Sequence, residues 1–439
     1  MTRLTRSGGG AGRSIAVTVI GNMAAPLVGI VVAPILARSL GVEGRGAVAA
    51  ATAPVLLASV VATLGIAEAV TYYTARAGSN SLSLLKRSIV LLLVSGVAAS
   101  ATIYSLAQPL SGGDASIAEL IGLCAGAAAP TVALGALRGA AAGLHWWATI
   151  ALERYMLAFL RLIPILVLLL IDALSVFSAA IVMAYSPVVA GCLYLSAGLS
   201  KALHNAGSQV SARQLMSFSL RLWLGSIAGV LLTRLDQVLL TPLAGPAELG
   251  LYAVAVNLAD VPLMISLASR DVLIAADAGV ESNKRLAMAS RLTSLVTLVL
   301  SVCLGCTAPL WIGPLFGAGF SEAVPVLCVL LAACVFGVPG SIAGAGLIAR
   351  NSPQLRSLVV GAAVPVNVGL LFVLGPAHGA LGAAVATLGG TIVASGGALL
   401  LLRRRHRVAI SRFFGLRAGD LRFLSHTVRK LAARASPRE

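Results

Sequence analysis

The sequence predicts an all-α polytopic membrane protein of about twelve transmembrane helices in two six-helix bundles, and three observations predict it. Of 439 residues, 58% are hydrophobic and only 11% charged, with a mean hydropathy of +0.96, far outside the averages of soluble domains. The apolar residues fall in runs long enough to cross a hydrocarbon core, which takes about 20 residues of helix. Those runs are uncharged and contain Gly and Pro, which suits helices, whereas a membrane β-barrel would show short alternating segments.

Cutting at charges and at Gly/Pro clusters gives twelve segments. The first half has 14–37, 47–74, 88–110, 117–141, 155–172 and 174–199; the second has 217–243, 250–275, 289–312, 322–349, 357–375 and 380–402. The first run follows Arg3, Arg6 and Arg13, lacks a small-residue cleavage site and continues into more membrane. It is expected to be a retained helix and not a secretory signal.

Orientation follows from the distribution of basic residues. Of the 32 Lys and Arg, all but Arg38, Arg45 and Arg234 fall at the N-terminus, in the tail, or in the even-to-odd loops and adjacent helix ends. The positive-inside rule then predicts that both termini are cytoplasmic. The net charge of +17 is spread over these loops and concentrated in Arg403, Arg404, Arg405 and Arg407, so it reads as contact with anionic lipids and not with nucleic acid. Residues 409–434 place Ile410, Phe413, Phe414, Leu421, Leu424, Val428 and Leu431 at helical spacing between arginines, which predicts an interfacial amphipathic helix.

Cys124, Cys192, Cys303, Cys306, Cys328 and Cys334 all sit in apolar segments and read as small hydrophobes. The Cys303/Cys306 spacing lacks the second pair that a metal site requires. No metal and no cofactor is expected.

The two halves correspond. Gly41-Val-Glu-Gly-Arg-Gly46 and Gly245-Pro-Ala-Glu-Leu-Gly250 each place two glycines five residues apart, between a Leu-rich helix end and an Ala-rich helix start. An even number of spans per half makes this a parallel repeat about the membrane normal. The expected units are residues 1–200, 201–405 and a basic tail, 406–439. Pro26, Pro34, Pro54, Pro262, Pro339 and Pro365 interrupt spans and are the expected hinges.

Chemistry at this chain's surface has little room. The non-basic loops are about ten residues or shorter, below ordinary functional-loop length, and no His-Glu-x-x-His, Gly-x-Ser-x-Gly or Walker phosphate loop occurs. The reading is a transporter, not an enzyme.

Ionisable groups inside spans cost about 2.5–3.5 kcal/mol each at a helix centre and are default functional candidates. Asp260 lies about 15 Å from the start of its segment, near the midplane, with Asn257 one turn before it on the same face. Arg234 and Asp236 stand two residues apart and point in different directions. Arg234 could pair with Asp260 or meet substrate, and both readings stand at this stage. Asn22 of the first span would face the same region, although a lone Asn also serves as interhelical glue. Arg138, Arg161 and Arg221 lie one to three turns inside the basic boundary, where they snorkel to headgroups or line a cationic cavity suited to a diphosphate. Glu68 closes the second span as a proton site or an interfacial residue; Glu68 and Asp260 are the coupling-ion candidates.

The chain resembles the lipid-linked oligosaccharide and polysaccharide exporters of the superfamily that also holds the multidrug and toxin extrusion proteins. The resemblance rests on Leu36-Ala-Arg-Ser-Leu-Gly41 through Gly46, on Arg234-Leu-Asp236 followed by Glu248-Leu-Gly250-Leu-Tyr252-Ala, and on Pro365-Val-Asn367 followed by Gly379-Ala-Leu-Gly382 up to Thr387. It implies a V-shaped pair of bundles that flips a polyprenyl-diphosphate-linked glycan, an O-antigen or exopolysaccharide unit, by alternating access. Glycan polymerase or glycosyltransferases would be its neighbours. Twelve spans fit that branch, since the peptidoglycan-precursor flippases of the superfamily carry two further helices. The alternative is a cation-coupled drug exporter of the same superfamily, which would depend on an acidic cavity.

Overall fold

The computed structural model describes residues 8–77, 81–196, 198, 210–277, 283–415 and 420, and all its regular elements there are helical. In the first half they are α1 (Gly8–Val61), α2 (Ile66–Ala77), α3 (Leu82–Ser105), the short α4 (Ala107–Leu110), α5 (Ala115–Ala125), α6 (Ala128–Gly143), α7 (Trp147–Leu170), α8 (Val176–Gly191) and the short α9 (Leu193–Ser196). The second half has α10 (Ala212–Ala244), α11 (Pro246–Asp277), α12 (Asn283–Phe316), α13 (Ala323–Ala349) and α14 (Pro353–His406), with 3-10 turns at Ala318–Glu322 and Ile410–Phe413.

Nine helices or helix pairs among the described residues are long and apolar enough to cross a membrane. Two of them hold a corner and supply two crossings each: α1 leaves helical geometry at Gly41, and α14 at Gly379. The arms of α14 fold back on each other, since Gly382 meets Leu374, Gly390 meets Asn367 and Gly397 meets Val359. α7 carries Glu153, Arg154 and Arg161, which takes it outside a purely apolar criterion although its 24 residues are long enough to cross. These corners and α7 reconcile nine with the twelve segments read from the sequence.

In the sequence the two termini, the connections between even and odd spans and the adjacent helix ends hold nearly all the Lys and Arg, and the end with those connections is called the basic end below. The other is the corner end. There Gly41 (φ 70°, ψ −176°) and Gly245 (φ 91°, ψ 169°) share a backbone conformation closed to side-chain-bearing residues. One helical turn later the two corners touch. A Cβ on Gly46 would sit on the Pro246 carbonyl, 3.0 Å from the Gly250 nitrogen, and a Cβ on Gly250 would sit on the Val42 carbonyl, 3.1 Å from the Gly46 nitrogen. The two contacts are the same contact exchanged between repeats. A third glycine corner joins them: the Ala380 amide donates to Glu248 Oε2 at 2.7 Å, so the carboxylate caps the second arm of α14. The largest apolar cluster gathers here, with Ala47, Ala50 and Ile121 of the first half against Leu249, Tyr252 and Leu327 of the second.

The second span is broken. α1 ends at Val61 and α2 starts at Ile66, with Leu64 (φ 48°) and Gly65 (φ 71°) between. The break frees two carbonyls, and both are taken up: the Trp223 indole of α10 donates to Val61 O at 2.8 Å and Ser95 Oγ of α3 donates to Ala62 O at 2.8 Å. Below it, Tyr72 stacks on Phe218 with centroids 4.9 Å apart, and Arg87 donates to Val210 O at 2.9 Å. This arrangement corrects the expectation that the prolines interrupt the spans. Pro26, Pro34, Pro54, Pro262, Pro339 and Pro365 all lie inside helix; breaks fall elsewhere, among them residues 62–65 and Gly126–Ala127 between α5 and α6. Neighbours absorb a proline's missing donor, but a positive-φ residue ends the helix outright.

The tail turns back on α12. Arg407 is left-handed and stops α14, and Arg291 then holds Asp420 through Nε–Oδ2 at 2.6 Å and Nη2–Oδ1 at 2.7 Å, with Nη1 on Arg412 O at 2.6 Å. Phe413 is buried in the cluster that caps α13 and α14. Residues 410–413 form a 3-10 turn, not the start of a long amphipathic helix; apart from Asp420, the segment predicted beyond 415 lies outside the described residues.

Two outcomes follow. Gly46→Ala or Gly250→Ala forces the corners apart and lowers the thermal unfolding midpoint of the purified protein by several degrees; an unchanged midpoint would mean that the corners have slack. Trp223→Phe keeps the ring and removes the donor to Val61 O, a loss of about 1–2 kcal/mol, read by thermal or denaturant unfolding in detergent.

Candidate functional site

Polar side chains inside the spans gather into one cluster in each half. In the first half, Arg138 of α6 grips Glu153 of α7, Nη2–Oε1 at 2.6 Å and Nε–Oε2 at 3.2 Å, and the Tyr194 hydroxyl of α9 donates to Glu153 Oε2 at 3.3 Å. Glu153 is buried, while the Arg138 side chain keeps 43% exposure. The guanidinium is therefore tethered by one face and open on the other. Arg161, two turns further along α7, donates from Nε to Ser186 Oγ of α8 at 3.1 Å.

In the second half two carboxylates are treated oppositely. Asp236 of α10 is 2% exposed. It accepts from the Tyr252 hydroxyl of α11, from Thr387 Oγ1 of α14 at 3.0 Å, and from the Gln237 amide at 2.8 Å; Tyr252 and Thr387 are also 3.0 Å apart. Three spans thus converge on one carboxylate that has donors around it but no cationic partner within ion-pair distance among the described residues. Asn367, in the first arm of α14, is buried against Gly390 of the second arm, and its Nδ2 has no hydrogen-bond partner among the described residues. Asp260 of α11 instead faces Arg234 of α10 at 3.5 Å, with side-chain exposures of 37% and 45%. Charged groups in the middle of spans are costly in hydrocarbon, which makes this pair a functional candidate.

Of the two readings left open by the sequence, the structure shows the Arg234–Asp260 pair and leaves a substrate role for Arg234 open to proposal. The pair is loose, at a distance beyond a strong charge-assisted hydrogen bond. Asn257 is exposed one turn away on the same helix. Glu68 is exposed in the first turn of α2 and joins neither cluster. The side chain of Asn22 lies outside the described residues. Arg138 and Arg161 do not simply snorkel, because each is held by a partner inside the bundle.

Sequence reasoning missed Glu153 and Tyr194. Starting the fifth segment at 155 left Glu153 in a loop, whereas α7 begins at Trp147 and carries it inside. The signal was available: Glu153 is the only acidic residue between Glu119 and Asp172, set among Arg138, Arg154 and Arg161. A separate cavity of about 590 Å³ opens at the corner end between Leu40, Glu43, Asp114, Glu119, Val176 and Phe177, and shares no residue with either cluster. Asp114 is held below its ordinary carboxylate range by the Ser116 hydroxyl and the amides of Ile117 and Ser116.

No curated protein matches the chain. Among solved structures, an inward-facing multidrug resistance MATE family transporter of the MOP superfamily superposes with a TM-score of 0.73 at 17% identity, over 90% of this chain and 98% of that one. The lipid II flippase MurJ in an inward closed conformation gives 0.71 at 15% identity, over 90% and 88%. An outward-facing MATE transporter gives 0.62 at 19% identity, over 91% and 95%. These likenesses establish the V-shaped exporter fold of two six-helix bundles. A family model described as polysaccharide biosynthesis protein matches residues 11–274, more than half of the chain, and this multi-pass membrane protein therefore belongs to the polysaccharide biosynthesis protein family.

Proposed function

We propose that this chain is a flippase that moves a polyprenyl-diphosphate-linked oligosaccharide across a bacterial cytoplasmic membrane by alternating access, with the basic end in the cytoplasm. The observation that carries this reading is the Arg234–Asp260 pair, exposed and 3.5 Å apart between two spans. A diphosphate can displace a carboxylate held so weakly, because it offers the guanidinium two oxygens in bidentate geometry. Arg138, anchored by Glu153 yet open on its other face, supplies a second cation from the opposite half. Membership in a polysaccharide biosynthesis family and likeness in fold to a lipid II flippase support the lipid-linked glycan as cargo; the polyprenyl chain would remain in lipid.

Asp260, once released from Arg234, and Asp236, buried among hydroxyl donors, are the groups whose charge a proton or small cation would neutralise. Such coupling acts only through different affinities in the two states. The residues 1–200 and 201–405 would be the units that move. The higher TM-score to an inward-facing relative than to an outward-facing one supports assignment of the present arrangement to a state closed at the corner end.

A drug exporter is the second reading, favoured by the likeness in fold to multidrug transporters and by two carboxylates inside the second half. One experiment separates them. In proteoliposomes, a fluorescent polyprenyl-diphosphate saccharide is expected to flip with the wild-type protein, and Arg234→Ala is expected to slow flipping at least tenfold. Asp260→Asn, which frees Arg234 to hold the diphosphate, is expected to slow release and turnover. Absent flipping together with proton-driven efflux of a cationic dye that requires Asp260 would replace the flippase reading with the exporter.

A further inference from the structure

The start of α10 belongs to the second half in sequence but packs into the first. Leu215 is 1% exposed, and it sits in an apolar cluster whose other buried members, Ile66, Val70, Leu84, Leu85 and Tyr194 among them, all lie in the first half. The Phe218 ring lies against Tyr72 and Tyr73, with centroids 4.9 and 5.4 Å away. Gly65 comes so close to the backbone of Ser219 that a Cβ on it would fall 2.3 Å from the Ser219 carbonyl oxygen. Two hydrogen bonds frame the stretch: Arg87 donates to Val210 O at 2.9 Å and the Trp223 indole to Val61 O at 2.8 Å. From Leu232 onward the same helix packs the other way. Leu232 lies against Gly390, Arg234 faces Asp260, and Asp236 accepts from Tyr252 and Thr387.

The two ends of the contact between halves are therefore unequal. At the corner end Gly46 against Pro246 and Gly250 against Val42 are packing contacts, which lipid or water can replace when they open. Parting the seam between α2 and α10 would instead strip the Val61 carbonyl of a donor beside a helix break, where hydrocarbon offers no replacement. It would also bare Leu215, one turn from the start of α10, together with the stacked rings. We propose that residues 210–223 travel with the first half through the transport cycle: the boundary between moving units runs inside α10 and not at residue 200, and the halves rock about this seam while the corner contact opens and closes. Between the two packing regimes, residues 224–231 hold Gly225 and Gly229, and the low helix propensity of glycine suits a segment that has to flex. The inference rests on alternating access and not on the identity of the cargo.

The test uses the full chain in liposomes, with its six cysteines replaced by alanine. Ala50 is 4% exposed in the apolar cluster shared with Leu249 and Tyr252, one turn beyond Gly46 on the same side of the helix. In Ala50→Cys a maleimide therefore reaches the thiol when the corners part. Tyr72→Cys with Phe218→Cys is added and bridged briefly by a short bis-methanethiosulfonate reagent, and the bridge is confirmed by peptide mapping. Bridging the seam is expected to leave the rate of maleimide labelling at position 50 unchanged to within about threefold, and a larger fall would overturn the proposal by showing that seam and corner part together. A thiol at position 50 that never labels in the unbridged protein would overturn it as well, since the corners would then not open. If the triple variant does not fold, Phe218→Leu with Ala50→Cys removes the stack and keeps an apolar side chain; the same threefold limit on labelling, in either direction, decides. Because no cargo is present, a protein that passes this test but flips no glycan would lose the flippase reading and keep the seam.

Discussion

Where Gly46 meets Pro246 and Gly250 meets Val42, two helix corners approach until backbone lies on backbone, and much of the molecule is arranged around that contact. It needs glycine at both positions because any Cβ would occupy a carbonyl oxygen of the other repeat. It needs the positive φ of Gly41 and Gly245 to turn the chain there. Around it collect the third corner, capped by Glu248, and the largest apolar cluster. A joint of this kind is held by close packing and not by side-chain bonds, so it can come apart without breaking a hydrogen-bond network.

The opposite requirement governs the break in the second span. In hydrocarbon, every backbone group set free by a non-helical turn must find another partner. Val61 and Ala62 find theirs on Trp223 and Ser95, one from the second half and one from a neighbouring span. The break is therefore part of the contact between halves, with Gly65 placed against the Ser219 backbone. One end of the interface is dry packing between glycines, and the region of the break is stitched by an indole and a hydroxyl.

The charges inside the spans sort by the same logic. Asp236 is surrounded by donors from three spans and sealed, whereas Arg234 and Asp260 stay open and loosely joined. Glu153 is sealed and Arg138 is left half-exposed. In each half a buried carboxylate is fixed by hydrogen bonds while a guanidinium keeps partial exposure.

Hydropathy alone determined the class, the number of spans and the ends on which basic residues collect, because the cost of placing charge or open backbone in lipid is paid locally, residue by residue. The repeat was legible for a related reason: a positive-φ corner admits almost nothing but glycine, so Gly41 and Gly245 mark it in the sequence itself. The sequence also singled out Arg234, Asp236 and Asp260, since ionisable residues inside apolar runs are few. Only the tertiary structure decided which of them are joined, because pairing depends on the rotation of one helix against another, and hydropathy carries no information about that angle. It placed Glu153 inside a span by starting α7 earlier than the apolar run, and it passed over six prolines in favour of a break at Leu64–Gly65 whose stability depends on Trp223, far away in the chain.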